Sequence, residues 1–201
     1  MQVLKTLVAA ALIAGAAVPA LADTNVALNK AVTLNGTYGV GGWSGALGSA
    51  ASVTDGVYFP EMTQWDNNSV WWNGSLQVSA NNSIEINLGG NYSISRFSVQ
   101  ADDNDTYRIE YNNGGVWQTA WNVGSVASWG VVTRDSGLMP AIVTDKLRLV
   151  STGGDGFYSV TEVQAFGVSA VPEPQSLALM IAGLGVLGLS ARRKKGTQKL
   201  S

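Results

Sequence analysis

The sequence predicts an all-β sandwich or jelly roll over residues 23–170. Three observations predict it: short runs of alternating polar and apolar residues, glycine- and asparagine-rich turns between them, and no helical periodicity anywhere in this stretch. Its length suits one domain.

The alternation is clearest at Ser83-Ile84-Glu85-Ile86-Asn87-Leu88, where Ile84, Ile86 and Leu88 share one face. Arg96-Phe97-Ser98-Val99-Gln100, Tyr107-Arg108-Ile109-Glu110-Tyr111 and Lys146-Leu147-Arg148-Leu149 repeat it. Each reads as a strand with one buried and one wet face. Gly89-Gly90-Asn91, Asp102-Asp103-Asn104-Asp105 and Asn112-Asn113-Gly114-Gly115 read as the turns that separate them. The Asn-Gly pair of the last is a hairpin signal, because a type I′ turn needs positive φ at both central residues.

Two segments flank this domain. Lys5, the apolar run Leu7 to Val18 and Pro19-Ala20-Leu21-Ala22 have the layout of a signal peptide cleaved after Ala22. Leu177 to Ala191 is a 15-residue uncharged run, followed by Arg192-Arg193-Lys194-Lys195. It reads as a single transmembrane helix, lengthened by snorkelling of the basic residues. Those residues predict a cytoplasmic C-terminus and leave residues 23–170 outside.

Charge supports this division. The formal net charge is −2, with 12 basic and 14 acidic residues, but six of the basic ones lie in the two flanks. Residues 23–170 hold six basic against thirteen acidic side chains, a net of −7. An acidic domain of this kind excludes a nucleic-acid partner, which would need clustered Lys and Arg. The chain has no cysteine and no histidine. Disulfides, thiolate metal sites, Ser-His-Asp and Cys-His catalysis and ordinary zinc hydrolysis are therefore excluded. Paired carboxylates stay open as a route to glycoside cleavage.

Val171-Pro172-Glu173-Pro174, the apolar run and the basic end together resemble the PEP-CTERM sorting tail of Gram-negative bacteria that make exopolysaccharide. The prolines fix φ and remove two N–H donors, which keeps the segment extended and accessible. The resemblance implies recognition by an exosortase, after signal peptidase has acted at the other end. It also implies an inner-membrane intermediate with the domain on the periplasmic side, and delivery to the cell surface or beyond.

The domain itself resembles the discoidin, or coagulation factor 5/8 type C, family of galactose-binding-like jelly rolls. Asn25-Val26-Ala27-Leu28-Asn29-Lys30-Ala31-Val32-Thr33 opens the match. Val53-Thr54-Asp55-Gly56, Thr63-Gln64-Trp65 and Ile84-Glu85-Ile86-Asn87-Leu88-Gly89 continue it, and Leu147-Arg148-Leu149 and Val160 to Gly167 close it. Asn87 replaces the family's usual Asp, and the glycine-rich stretch Tyr38 to Gly48 has no clear counterpart.

The resemblance implies a structural calcium held by Asp55, Thr63 and Glu162, with carbonyls near Val57 and Tyr58. An oxygen-only set suits that ion. The alternative reading makes Asp55 a turn residue and Glu162 an exposed strand residue. Asp102-Asp103-Asn104-Asp105 lacks the glycine and distal glutamate of an EF-hand loop and reads as a solvated loop that could hydrogen-bond sugar hydroxyls.

Seven tryptophans are many for this length, and sugar rings stack on exposed aromatic planes. Trp65 and Trp117 read as core. Of Trp71 and Trp72, strand alternation points one inward and one outward, which makes one a stacking candidate. Phe157 and Tyr158 lie where the family's sugar-binding members often place their aromatic. Trp129 and Arg134 complete the candidate ligand residues.

The leading expectation is an exported, non-catalytic module that binds polysaccharide, with calcium as a staple. A structural surface or biofilm matrix protein binding other proteins is the second reading. A glycosidase with two facing carboxylates is the third.

Overall fold

The computed structural model describes residues 23–43, 45–76, 81–170 and 181–184. The expected signal peptide, the Val171-Pro172-Glu173-Pro174 motif and most of the expected membrane segment lie outside these residues. Residues 181–184 are helical, and no helix among the described residues is long and apolar enough to cross a membrane.

The strands are β1 (Thr24–Asn25), β2 (Ala31–Asn35), β3 (Val70–Asn73), β4 (Ser83–Asp102), β5 (Thr106–Asn113), β6 (Val116–Val123), β7 (Val131–Asp135), β8 (Ile142–Gly153) and β9 (Phe157–Ser169), with a short 3-10 turn at Ala50–Thr54. They run in the order β1-β9-β4-β8-β5-β6, while β2 and β7 pair with β4 and β3 pairs with β9. All these pairings are antiparallel.

β4 organises the sandwich. Its first part pairs with β2 and β8, as at Val32↔Ile86 and Ile86↔Leu147. Its last part pairs with β7 and β9, as at Val99↔Arg134 and Val99↔Val163. Between them the register shifts from Asn87 to Tyr92, around Gly89 at φ +77. The expected Gly89-Gly90-Asn91 turn is therefore a bulge inside one 20-residue strand. A bulge bends and twists a strand without ending it, so one strand serves both layers.

The expected inward faces form the core. Ile84, Ile86 and Leu88 pack with Phe97, Val99, Tyr107, Ile109, Leu147 and Leu149, all at most 1% exposed, and with Trp72, Val160 and Val163. Full burial stabilises each aliphatic side chain by about 1.5–3 kcal/mol relative to exposure. The β5–β6 hairpin forms where expected, with Gly114 and Gly115 at φ +61 and +94 as the two central residues. The conformation is the one a two-residue type I′ turn requires.

This framework brings the β4–β5 turn, the β6–β7 loop and the β8–β9 loop together. Asp103 N–H donates to the Gly130 carbonyl at 2.9 Å and Val126 N–H to the Asp103 carbonyl at 2.7 Å. Asp155 N–H donates to Asp105 Oδ1 at 3.2 Å.

Candidate functional site

The end of β4 explains why an acidic run is held inside. Val99 and Ala101 face the core, so Gln100 and Asp102 face the other side of the sheet. The β6–β7 and β8–β9 loops then close over the turn. Asp102, Asp103 and Asp105 are 3%, 6% and 0% exposed, which corrects the expectation of a solvated loop. Carboxylate oxygens of Asp102, Asp105 and the exposed Asp155 lie within 4.8 Å of one another.

Neutral donors meet several of these acids. Asp103 Oδ2 accepts from Ser128 N–H, Asp155 Oδ1 from Phe157 N–H and Asp155 Oδ2 from Asn104 Nδ2. Tyr107 OH donates to Asp105 Oδ2 at 3.4 Å. Arg134 directs its terminal nitrogens to the carbonyls of Asp102, Asp105 and Gly124, and its guanidinium lies 5.5 Å from the centre of the Tyr107 ring. The ion pairs formed among the described residues are elsewhere, joining Glu110 to Arg108 and Arg148 and Glu85 to Lys146. Burial, followed by the charges of Asp103 and Asp155, raises the Asp102 carboxyl to about 7. Burial, followed by the charges of Asp102 and Asp155, raises Asp105 to about 8.

A cleft of about 210 Å³ opens above these acids, walled by Trp43, Trp65, Trp129, Gln64, Asn104 and Gly130. Trp43 is 73% exposed and Trp129 55% exposed. Trp43 and Gln64 also border a wider hollow of about 450 Å³ lined by Gly45, Asp66 and Asn67. The result is an open groove with aromatic faces beside carboxylates and amides. Such surfaces can stack on the C–H face of a sugar while polar groups hydrogen-bond its hydroxyls.

Among the candidate ligand residues, Trp129 lines this cleft. Arg134 lies close to it, bound to backbone carbonyls. Trp71 and Trp72 are 3% and 1% exposed, so neither is a surface platform. Alternation does point them to opposite faces, but Trp65 packs edge-on against Trp71 at 5.7 Å and covers the outer one. Gly42 also lies against the Trp71 ring. Tyr158 is half-buried against Trp72 and Tyr107, and Phe157 leans on Trp65 at 5.5 Å. Trp117, expected in the core, is half-buried outside it beneath Arg148 at 4.5 Å. Trp65 is likewise only half-buried and stands outside the core cluster. The sequence reading did not single out Trp43. Its signal was a tryptophan in a glycine-rich stretch unmatched in the discoidin pattern.

Asp55 and Glu162 meet at Gly56. Gly56 N–H donates to Glu162 Oε1 at 3.1 Å, while Glu162 Oε2 is buried without a partner among the described residues. Glu162 is fully buried, unlike the exposed strand residue of the alternative reading. Burial, and then the charge of Asp55, raises its carboxyl to about 8. Asp55 is exposed and Oδ1 accepts from Val57 N–H at 2.8 Å. Thr63 Oγ1 donates within its own turn, to the Pro60 carbonyl at 2.6 Å.

Comparison with known proteins gives three results. Residues 170–194 match the PEP-CTERM protein-sorting motif. No curated protein matches the chain. Solved structures do match in fold. The C-terminal domain of a chitobiase from Bacteroides fragilis is 12% identical with a TM-score of 0.51, over 74% of this chain and 99% of that one. A family 32 carbohydrate-binding module from C. perfringens, solved with galactose, is 19% identical with a TM-score of 0.49, over 72% and 98%. The larger SpGH29 is 16% identical with a TM-score of 0.49, over 73% of this chain and 28% of its own. The chain thus combines an all-β sandwich, similar in fold to the C-terminal domain of that chitobiase, with a match to the PEP-CTERM protein-sorting motif at residues 170–194.

Proposed function

We propose that this protein is an exported, non-catalytic glycan-binding module. In this reading residues 1–22 are a signal peptide removed by signal peptidase, residues 23–170 are the binding domain, and residues 171–201 are the sorting tail. An exosortase-type enzyme processes the tail at an inner-membrane stage with the domain on the periplasmic side, and the protein reaches the surface or matrix of a Gram-negative cell.

The observation that carries the binding assignment is the exposed Trp43–Trp129 groove beside Asp103, Asn104 and Gln64. Stacking supplies most of the affinity and the polar rim sets orientation. A glycosidase is disfavoured, because both of its carboxylates must reach the scissile bond. Here two of the three gathered carboxylates, Asp102 and Asp105, are almost wholly buried.

Asp55 and Glu162, with Thr63 and the carbonyls near Val57 and Tyr58, would hold the structural calcium. The unpartnered, buried Glu162 Oε2 beside a second carboxylate fits an oxygen-seeking cation. Such an ion would supply cross-linking between the Asp55 turn and β9, with no chemical step.

The test is retention of the protein on the extracellular polysaccharide of its host. Retention that is lost in Trp129→Ala supports the reading. Absence of retention on polysaccharide, with capture by a surface protein, would favour the structural alternative.

A further inference from the structure

We propose that Asp102, Asp105 and Asp155 hold a calcium-like divalent cation at the floor of the tryptophan-flanked cleft, separate from the Asp55–Glu162 pair. Three carboxylates with oxygens within 4.8 Å repel one another unless protons or a cation lie among them. Arg134 is the nearby cation and its charge acts on Asp102, but none of the ion pairs among the described residues joins it to an acid. Arg134 donates to backbone carbonyls, and its Nε is buried without a partner. The donors that reach Asp105 and Asp155 are neutral: Asp155 N–H, Tyr107 OH, Phe157 N–H and Asn104 Nδ2.

A second observation, independent of the acids, points to a ligand. Ser159 is fully buried, and its Oγ has no hydrogen-bond partner. Its position follows from register. Ala101 of β4 pairs with Val160 of β9, and both face the core. The next residues outward, Asp102 and Ser159, therefore share the opposite face on adjacent strands. Tyr107 OH sets Ser159 next to the acids: it donates to the Ser159 carbonyl and accepts from Ser159 N–H, each at 3.1 Å, and stands 3.4 Å from Asp105 Oδ2. A hard cation takes six to eight oxygens at short range, from carboxylates, hydroxyls, carbonyls and water. Bound here, it would neutralise the acids and give the hydroxyl oxygen a coordination partner.

Backbone geometry allows the close gathering. A Cβ on residue 154 would stand 1.8 Å from Asp105 Oδ1, so the glycine lets the β8–β9 loop press against that carboxylate. The ion would fasten this loop to the β4–β5 turn. Coordination positions not taken by protein fall to water or to a hydroxylated ligand. The cation assignment does not depend on the glycan assignment.

Terbium luminescence tests it, because Trp65 and Trp129 line the same cleft as Asp102 and Asp155 and can sensitise a bound Tb³⁺. The full chain in detergent is stripped with EDTA and titrated with TbCl₃. Sensitised emission should saturate and be displaced by Ca²⁺. Asp105→Asn and Asp155→Asn should each weaken this sensitised Tb³⁺ binding by about tenfold or more, since each removes one charged ligand, Glu162→Gln should remove only a component that belongs to the Asp55–Glu162 pair, and Asp135→Asn, an exposed carboxylate outside both sites, should change nothing. If Asp105→Asn fails to fold, Asp155→Asn decides alone, because Asp155 is exposed. No emission, emission unchanged in both Asp variants, or emission lost only in Glu162→Gln would overturn the proposal.

Discussion

Gly154 lies hard against the Asp105 carboxylate: a Cβ added at residue 154 would lie 1.8 Å from Asp105 Oδ1. The glycine also sits at φ +133, a conformation that residues with a side chain rarely adopt. Gly154→Ala should therefore destabilise the domain by about 1–3 kcal/mol and push the β8–β9 loop away from the acids. A thermal melt in EDTA measures the first effect. Gly124→Ala, where an added Cβ meets nothing within 4 Å, serves as the control and should leave the melting temperature nearly unchanged.

The two kinds of tryptophan should separate binding from folding. Trp72 is 1% exposed and packs on Tyr38, Tyr107 and Tyr158, so Trp72→Ala should cost about 3–5 kcal/mol of stability. Trp129 is 55% exposed, so Trp129→Ala should change stability by less than about 0.5 kcal/mol. It should nevertheless lower polysaccharide affinity by about tenfold, the effect of losing an aromatic anchor. Denaturant titration and affinity electrophoresis on the two variants give the comparison. Equal stability losses would remove Trp129 from the groove's exposed wall.

How much of this was legible in the sequence depended on the range of the interaction. Ile84, Ile86, Leu88, Phe97, Val99, Leu147 and Leu149 announce themselves by alternation, which is a local property of a pleated strand with one buried face. Alternation assigns the faces of Trp71 and Trp72 as well, but not what lies on each face. Trp71 is covered by Trp65 and by the segment around Gly42. The burial of Asp102, Asp103 and Asp105 is likewise set from afar, by Ser128 and Asp155, 25 and 50 residues from their partners. No periodic signal carries such pairings. The Gly89-Gly90 bulge misled for a different reason: the residues that permit a turn also permit a kink within a strand.

Buried acids with raised pKa values set a direction for pH dependence. Glu162 titrates near 8 in the fold, against a reference value of 4.5, so the folded state keeps its proton while the unfolded chain loses it. Stability in EDTA is therefore greatest below about pH 4.5 from this group. It falls as pH rises and stops falling above about 8. Asp102 and Asp105, raised to about 7 and 8, act in the same sense. Each group contributes a slope of at most about 1.4 kcal/mol per pH unit. Urea unfolding between pH 5 and 8 should show a decline in the wild type and a shallower one in Glu162→Gln. Equal slopes would contradict a protonated Glu162.

Cation removal should reveal two independent stabilising sites. A ligand that binds only the folded state at 100 times its Kd stabilises by about 2.7 kcal/mol, and this applies once to the Asp55–Glu162 site and once to the Asp102–Asp105–Asp155 site. Calcium added to EDTA-treated protein should therefore raise the melting temperature of the wild type more than that of either Glu162→Gln or Asp155→Asn. The double variant should respond least, and the two losses should add, because the sites share no ligand and distant changes are additive within about 0.5 kcal/mol. Differential scanning fluorimetry across a calcium series, on these four proteins, measures the response. A wild-type gain that either single variant abolishes completely would mean one site, in which both carboxylate groups act on the same ion.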